Sequence, residues 1–151
     1  MFLAEVGDPD RADLSSWQVS GMKATASGCY DLSERAAAQA ATRLAPYPGA
    51  RAIRAVLPGD WVPGRYDLIL FSELLYYLTG PKIDTTAALV ARDAGEGAQC
   101  VLVHFQGDTE TDIRPDAARD RFCAALTGLR AIRLIDHDAP AAYDHRTIVL
   151  D

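Results

Sequence analysis

Two stretches of the chain are short, nearly unbroken apolar runs, Tyr66-Asp-Leu-Ile-Leu-Phe71 and Gln99-Cys-Val-Leu-Val-His-Phe105. Strands covered on both faces read this way, since neither face meets water. Between the runs, Ile83, Ala87, Val90 and Ala94 recur at helical spacing, and Gly95 and Gly97 follow as stop signals. Strand, helix and strand at this spacing predict a βαβ unit with a right-handed crossover and parallel strands.

The alternation extends in both directions. Ser33 is placed to cap a helix through Leu44 that turns Ala37, Ala40, Ala41 and Leu44 to one face, and Pro46 and Pro48 end it. Lys23 to Tyr30 ahead of it and Ala50 to Val56 behind it read as strands. Pro115 opens another helix, with Ala118, Phe122, Ala125 and Leu126 toward the core. The runs Leu129–Ile135 and Arg146–Leu150 come next with no helix between them, which predicts antiparallel neighbours. The expected architecture is α/β: an open, mostly parallel sheet with an antiparallel C-terminal edge.

Size and charge narrow the picture. The 151 residues suit one domain, with 49% hydrophobic and 24% charged residues. A net charge of −6 argues against a nucleic-acid backbone or an anionic membrane as partner. No apolar run approaches the roughly 20 residues that span a bilayer, and no basic stretch leads into an apolar one near the N-terminus. Cys29, Cys100 and Cys123 lie far apart with no C-x-x-C pair, so neither a disulfide framework nor a zinc site is expected. The expected setting is a reducing cytoplasm. Composition leaves the oligomeric state open.

Open α/β sheets bind ligands outside the carboxyl ends of their strands. Asp31, Val56, Ser72, Glu73 and His104 all fall at or near such ends. Each also has a plainer role. Asp31 can help cap the Ser33 helix, Glu73 can sit in a solvated first turn, Tyr76 and Tyr77 can be packing residues, and His104 can be a core histidine. His137 and His145 give no metal-ligand spacing with His104, and no metal is expected. There is no Ser/His/Asp set, no phosphate-binding G-x-x-x-x-G-K-[ST] loop, and no G-x-G-x-x-G turn for a nicotinamide cofactor.

Three stretches, "YDLSERAAAQAATRL", "LPGDWVPGRYDLILFSELLYYL" and "GAQCVLVHFQGDTETD", resemble class I S-adenosylmethionine-dependent methyltransferases, and most of all the nodulation-protein-S (NodS-like) group. The resemblance implies a Rossmann-like three-layer sandwich whose last strand is antiparallel, with S-adenosylmethionine as cofactor. By position, Asp31 matches the residue that accepts from the ribose hydroxyls, and Leu32 packs on the adenine. Phe71, Ser72 and Glu73 match positions beside the transferable methyl group. Tyr76 and Tyr77 line the substrate entrance, and His104 lies near the acceptor. Glu73 and His104 are the candidates for a base or an orienting group. The implied acceptor is an amine of a small molecule, such as an aminosugar or oligosaccharide.

Two departures from the family pattern stand out. Its glycine-rich first turn is represented by Glu5 and Gly7 alone, followed by Asp8-Pro9-Asp10. Residues 1–28 therefore read as a truncated or diverged version. Val56 stands where an aspartate would accept from the adenine amine, and valine cannot accept. Two functions are expected as alternatives: a methyltransferase acting on an amine of a small molecule, or a truncated or degenerate domain that keeps the fold, binds the cofactor poorly and serves as a structural or partner-binding module.

Overall fold

The computed structural model describes residues 2–6, 18–19, 22–138 and 142–151, with side chains from residue 28. The strands are β1 (Phe2–Val6), β2 (Gln18–Val19), β3 (Met22–Asp31), β4 (Ala50–Arg54), β5 (Tyr66–Ser72), β6 (Ala94–Phe105), β7 (Ile132–Asp138) and β8 (Tyr143–Leu150). The helices are α1 (Glu34–Leu44), α2 (Gly80–Asp93) and α3 (Pro115–Thr127), with a 3-10 turn at Leu75–Tyr77. The strands form one sheet in the order β2-β3-β1-β5-β6-β8-β7, with β4 also paired to β3.

The local signals act where the sequence puts them. Ser33 is the N-cap of α1 and its hydroxyl accepts from the Ala36 amide at 3.3 Å. Ala37 and Leu44 are the buried residues of that helix. Pro115 sits in the first turn of α3. The expected βαβ unit is present: β5 and β6 pair in parallel, Leu70 opposite Val101 and Phe71 opposite Leu102, with α2 between them in sequence. Ile83, Ala87 and Val90 of α2 and Phe122 and Leu126 of α3 are fully buried with Ile69, Phe71, Cys100 and Leu102. The Phe71 and Phe122 rings meet edge-on, 5.3 Å between centroids. β7 and β8 are antiparallel neighbours at the edge, as their helix-free connection predicts.

Gly95 and Gly97 do not form a loop. The α2 helix ends at Asp93, and both glycines lie at the head of β6, where the register against β5 slips between Tyr66 and Leu68. Gly97 takes φ +74 there, a left-handed conformation that a side chain would strain.

The main correction concerns the centre of the sheet. β1 lies between β3 and β5 and runs antiparallel to both, with Phe2 opposite Cys29 and Leu70. Only two of the seven strand pairings among the described residues, β3 with β4 and β5 with β6, are parallel. The sheet is mixed rather than mostly parallel. A strand of five residues satisfies its ladder in either direction, and period alone does not choose between them.

Candidate functional site

The carboxyl ends of β3, β4 and β5 open on one edge of the sheet, where backbone bonds tie neighbouring strand ends together. The Ala55 amide donates to the Asp31 carbonyl at 2.9 Å, and the Glu73 amide to the Val103 carbonyl at 3.0 Å. A cleft of about 510 Å³ lies over these ends, lined from β3–α1 by Tyr30, Asp31, Leu32 and Ser33 and from the loop after β4 by Ala55, Val56 and Leu57. Ser72, Glu73, Leu74, Tyr77 and Leu78 complete it after β5, with Lys82 of α2 at the rim. Six residues expected at a site from sequence thus meet here: Asp31, Leu32, Val56, Ser72, Glu73 and Tyr77.

Their environments differ. Asp31 is exposed, and its Oδ1 accepts from the Ser33 amide at 2.7 Å. That bond helps turn the chain into α1 and leaves Oδ2 for a second acceptor role. Leu32 is 64% exposed, Val56 40% and Tyr77 69%. Three apolar or aromatic side chains open to solvent around one concave surface are a ligand-facing arrangement rather than core packing. The Val56 amide is capped by Asp60 Oδ2 at 2.9 Å.

Glu73 sits at φ +52, the one non-glycine residue with positive φ among those described. Both carboxylate oxygens are engaged: Oε1 accepts from the Phe105 amide at 2.7 Å and Oε2 from the Tyr76 hydroxyl at 2.5 Å. Burial, and then the Glu73 carboxylate, push the Tyr76 phenol well above its usual range, so it stays a donor. Glu73 is therefore an anchor for the β5 and β6 ends.

Several expected residues lie elsewhere. Glu5 pairs with Ala26, so five strand residues, roughly 16 Å at about 3.3 Å each, separate it from the level of Asp31. The reversal of β1 carries it away from the cleft. Gly7 lies outside the described residues. Phe71 is fully buried against Phe122 and serves the core. Tyr76 is 3% exposed and lines a second cleft of about 410 Å³ with Tyr77, Leu78, Thr79, Gly80, Glu110, Thr111, Asp112 and Ile113. Tyr77 and Leu78 border both clefts.

His104 lines neither cleft. It is fully buried, its ring 6.1 Å from that of Tyr76, and neither ring nitrogen has a hydrogen-bond partner. Burial, and then the Arg119 cation, lower its pKa to about 4, with Asp144 opposing and Arg146 adding to the shift. Arg119 forms a buried ion pair with Asp144, whose Oδ1 also contacts His137 Nε2 at 2.7 Å.

Sequence reasoning missed Lys82, Glu110 and Asp112. Lys82 had a signal, since Gly80-Pro81 marks a helix start directly after the strand-end segment. Glu110 and Asp112 fall in an irregular loop whose position only the fold reveals. Among the described residues, no group of three or more His, Cys, Asp or Glu is arranged to hold a metal, and no helix is long and apolar enough to cross a membrane.

No protein-family model matches this sequence, and no curated protein matches it. Solved structures do. A Pseudomonas syringae protein described as a methyltransferase superposes with TM-score 0.62 at 25% identity, over 81% of this chain and 71% of that one. The N-methyltransferase NodS of Bradyrhizobium japonicum WM9, in complex with S-adenosyl-L-homocysteine, gives 0.63 at 16% identity, over 82% of this chain and 65% of that one. A TehB-like S-adenosylmethionine-dependent methyltransferase of Corynebacterium glutamicum gives 0.59 at 15%, over 82% and 67%. The chain therefore spans about two thirds of these proteins, and it has the α/β fold of S-adenosylmethionine-dependent methyltransferases.

Proposed function

We propose that the cleft over Asp31 and Glu73 is a site for S-adenosylmethionine, and that the chain transfers a methyl group to an amine of a small molecule, an aminosugar or oligosaccharide end among the candidates. The observation that carries this reading is the convergence of Asp31, Leu32, Val56, Ser72 and Glu73 from three separate strand ends onto one concave surface. The residues fit the nucleoside part. A carboxylate with a free oxygen suits vicinal hydroxyls, and the exposed Leu32 and Val56 suit the faces of a purine. The cofactor supplies an electrophilic methyl group on a sulfonium.

The chain's own residues would do the rest by placement. Tyr77 joins the cofactor cleft to the second one, so an acceptor there lies beside the first site. Glu110 and Asp112 favour a cationic amine in that second cleft, next to the Tyr76 and Tyr77 rings, and would take up the proton that the amine must lose before its nitrogen can attack the methyl group. Glu73 holds the Tyr76 ring in place through its hydroxyl. With both oxygens occupied, Glu73 orients rather than abstracts. His104 lines neither cleft, so no proton transfer falls to it.

One observation favours the second reading, a domain that keeps the fold without catalysis. β1 runs antiparallel to both of its neighbours, so its backbone at Val6 lies level with Ala24 rather than with the strand end at Asp31. Val56 offers the adenine amine no acceptor, and one lost hydrogen bond weakens binding by about 0.5–1.5 kcal/mol, about two- to tenfold. Incubating the purified chain with cofactor labelled in the methyl group and a panel of amines, chitosan oligomers included, separates the two. Slow label transfer to an amine is the expected result, with cofactor affinity weaker than micromolar. Cofactor binding with no transfer to any amine would leave the second reading.

A further inference from the structure

We infer that the β7 edge of the sheet is a self-association surface, on which a second copy of this chain pairs strand to strand and antiparallel. The inference is independent of the reading of the cleft.

β7 ends the strand order, and among the described residues it pairs with β8. The two strands differ in cover. On β8, Thr147, Ile148, Val149 and Leu150 are buried, so both faces of that strand are packed. On β7, every residue from Arg133 to Asp138 is exposed, although Leu134 lies opposite the buried Ile148. The core layers stop at β8, and β7 stands out past them. Leu134 is 54% exposed and Ile135 44%. An apolar pair on an edge strand, with no proline or lysine in Ile132–Asp138 to block pairing, is a template for another strand.

The charges on β7 select the occupant. Between Leu134 and Asp136, β7 advances two residues while β8 advances one, and Ile135 is the extra residue. Arg133, Asp136 and Asp138 then lie opposite Val149, Thr147 and His145, alternate residues of β8, and so share one face. Along that face the strand begins with a cation and ends with two carboxylates. An identical strand laid antiparallel brings Arg133 of each copy toward Asp136 and Asp138 of the other, and two-fold symmetry makes the match twice. Laid parallel, like charges would meet. Within one copy Arg133 contacts Asp151, and Asp136 contacts His145, each at 3.8 Å. Such long, exposed ion pairs are weak and yield to a closer partner. One strand from each copy is fewer than the roughly 20–30 residues a side of a standard interface, so the dimer is weak and reversible.

Sedimentation equilibrium of the full chain tests this. The expected result is a monomer–dimer equilibrium with a dissociation constant of about 10–100 μM. Leu134→Asp places a charge in the apolar contact and should weaken association about tenfold or more, with an unchanged thermal melt. Arg133→Asp alone should weaken association, and so should Asp136→Arg with Asp138→Arg. All three charge reversals in one chain should restore it, because the pattern is again complementary to itself. A chain that stays monomeric across that concentration range would overturn the inference, as would a dimer indifferent to Leu134→Asp. A triple variant no better than the partial ones would overturn the antiparallel pairing. The measurement needs no cofactor, so its outcome is separate from that of the methyl-transfer assay.

Discussion

The Glu73 carboxylate accepts a 2.7 Å hydrogen bond from the backbone amide of Phe105, a residue 32 positions further along the chain. This bond joins the carboxyl ends of two parallel strands at a residue that lines the first cleft. The other Glu73 oxygen takes the Tyr76 hydroxyl, so one side chain closes the ends of β5 and β6 and seats a tyrosine of the second cleft.

Replacing Glu73 by Ala leaves the Phe105 amide and the Tyr76 hydroxyl unpaired, and we expect a loss of about 2 kcal/mol or more in urea unfolding. Glu73→Gly should be milder than Glu73→Ala by about 1 kcal/mol, because glycine adopts φ +52 without strain. Equal losses would show that the backbone conformation carries no cost.

His104 makes stability depend on pH. Its folded pKa of about 4 lies below the usual 6.5, so the unfolded chain binds its proton first as pH falls. Stability from this group is fully present above about pH 6.5 and is lost as pH drops toward 4, by about 3 kcal/mol for a shift of this size. Arg119 and Arg146 reinforce the shift and Asp144 opposes it. His104→Leu removes the titration and two buried unpartnered nitrogens. Between denaturant melts at pH 7 and pH 4.5, stability should fall steeply for the natural chain and much less for the variant, which should be no less stable at pH 7.

Val56→Asp restores an acceptor beside the adenine position. One added hydrogen bond is worth about 0.5–1.5 kcal/mol, so S-adenosyl-L-homocysteine should bind about two- to tenfold tighter by calorimetry. The gain should stay partial, because Asp60 Oδ2 already sits on the residue 56 amide and repels a second carboxylate. A gain of a hundredfold or more would mean that the central strand costs the site nothing.

Asp31→Asn keeps the oxygen that accepts from Ser33 but removes the charge. Bonds to charged acceptors are worth about 1.5–3 kcal/mol, so adenosine ligands should lose at least tenfold in affinity. Thermal stability should change little, since the turn into α1 survives. A large drop in stability with unchanged affinity would identify Asp31 as a capping residue alone.

Asp93→Ala tests the opposite end of the fold. The Asp93 carboxylate accepts from the buried Trp61 indole at 2.7 Å and pairs with Arg92. Truncation should cost about 1–3 kcal/mol by stranding the indole N–H, without altering ligand affinity in a sample kept below its unfolding transition.

Much of this protein is legible in local signals. The Ser33 cap, the Pro115 start and the apolar runs of β5 and β6 place their elements because capping and periodic burial act over a few residues. Asp31, Val56, Ser72 and Glu73 follow from the rule that strand ends make the crevice, which needs only the order of elements; the same rule picked His104, which is buried away from both clefts. Three features had to wait for the tertiary structure. The direction of β1 is invisible in its sequence, because a short strand pairs equally well either way and its partners lie far along the chain. The burial of His104 depends on Arg119, Asp144 and Tyr76 arriving from other elements. The engagement of Glu73 depends on the Phe105 amide, which reaches it only when β5 and β6 pair. Local spacing sets where elements form, whereas direction, desolvation and hydrogen-bond partnership are settled by contacts between distant segments.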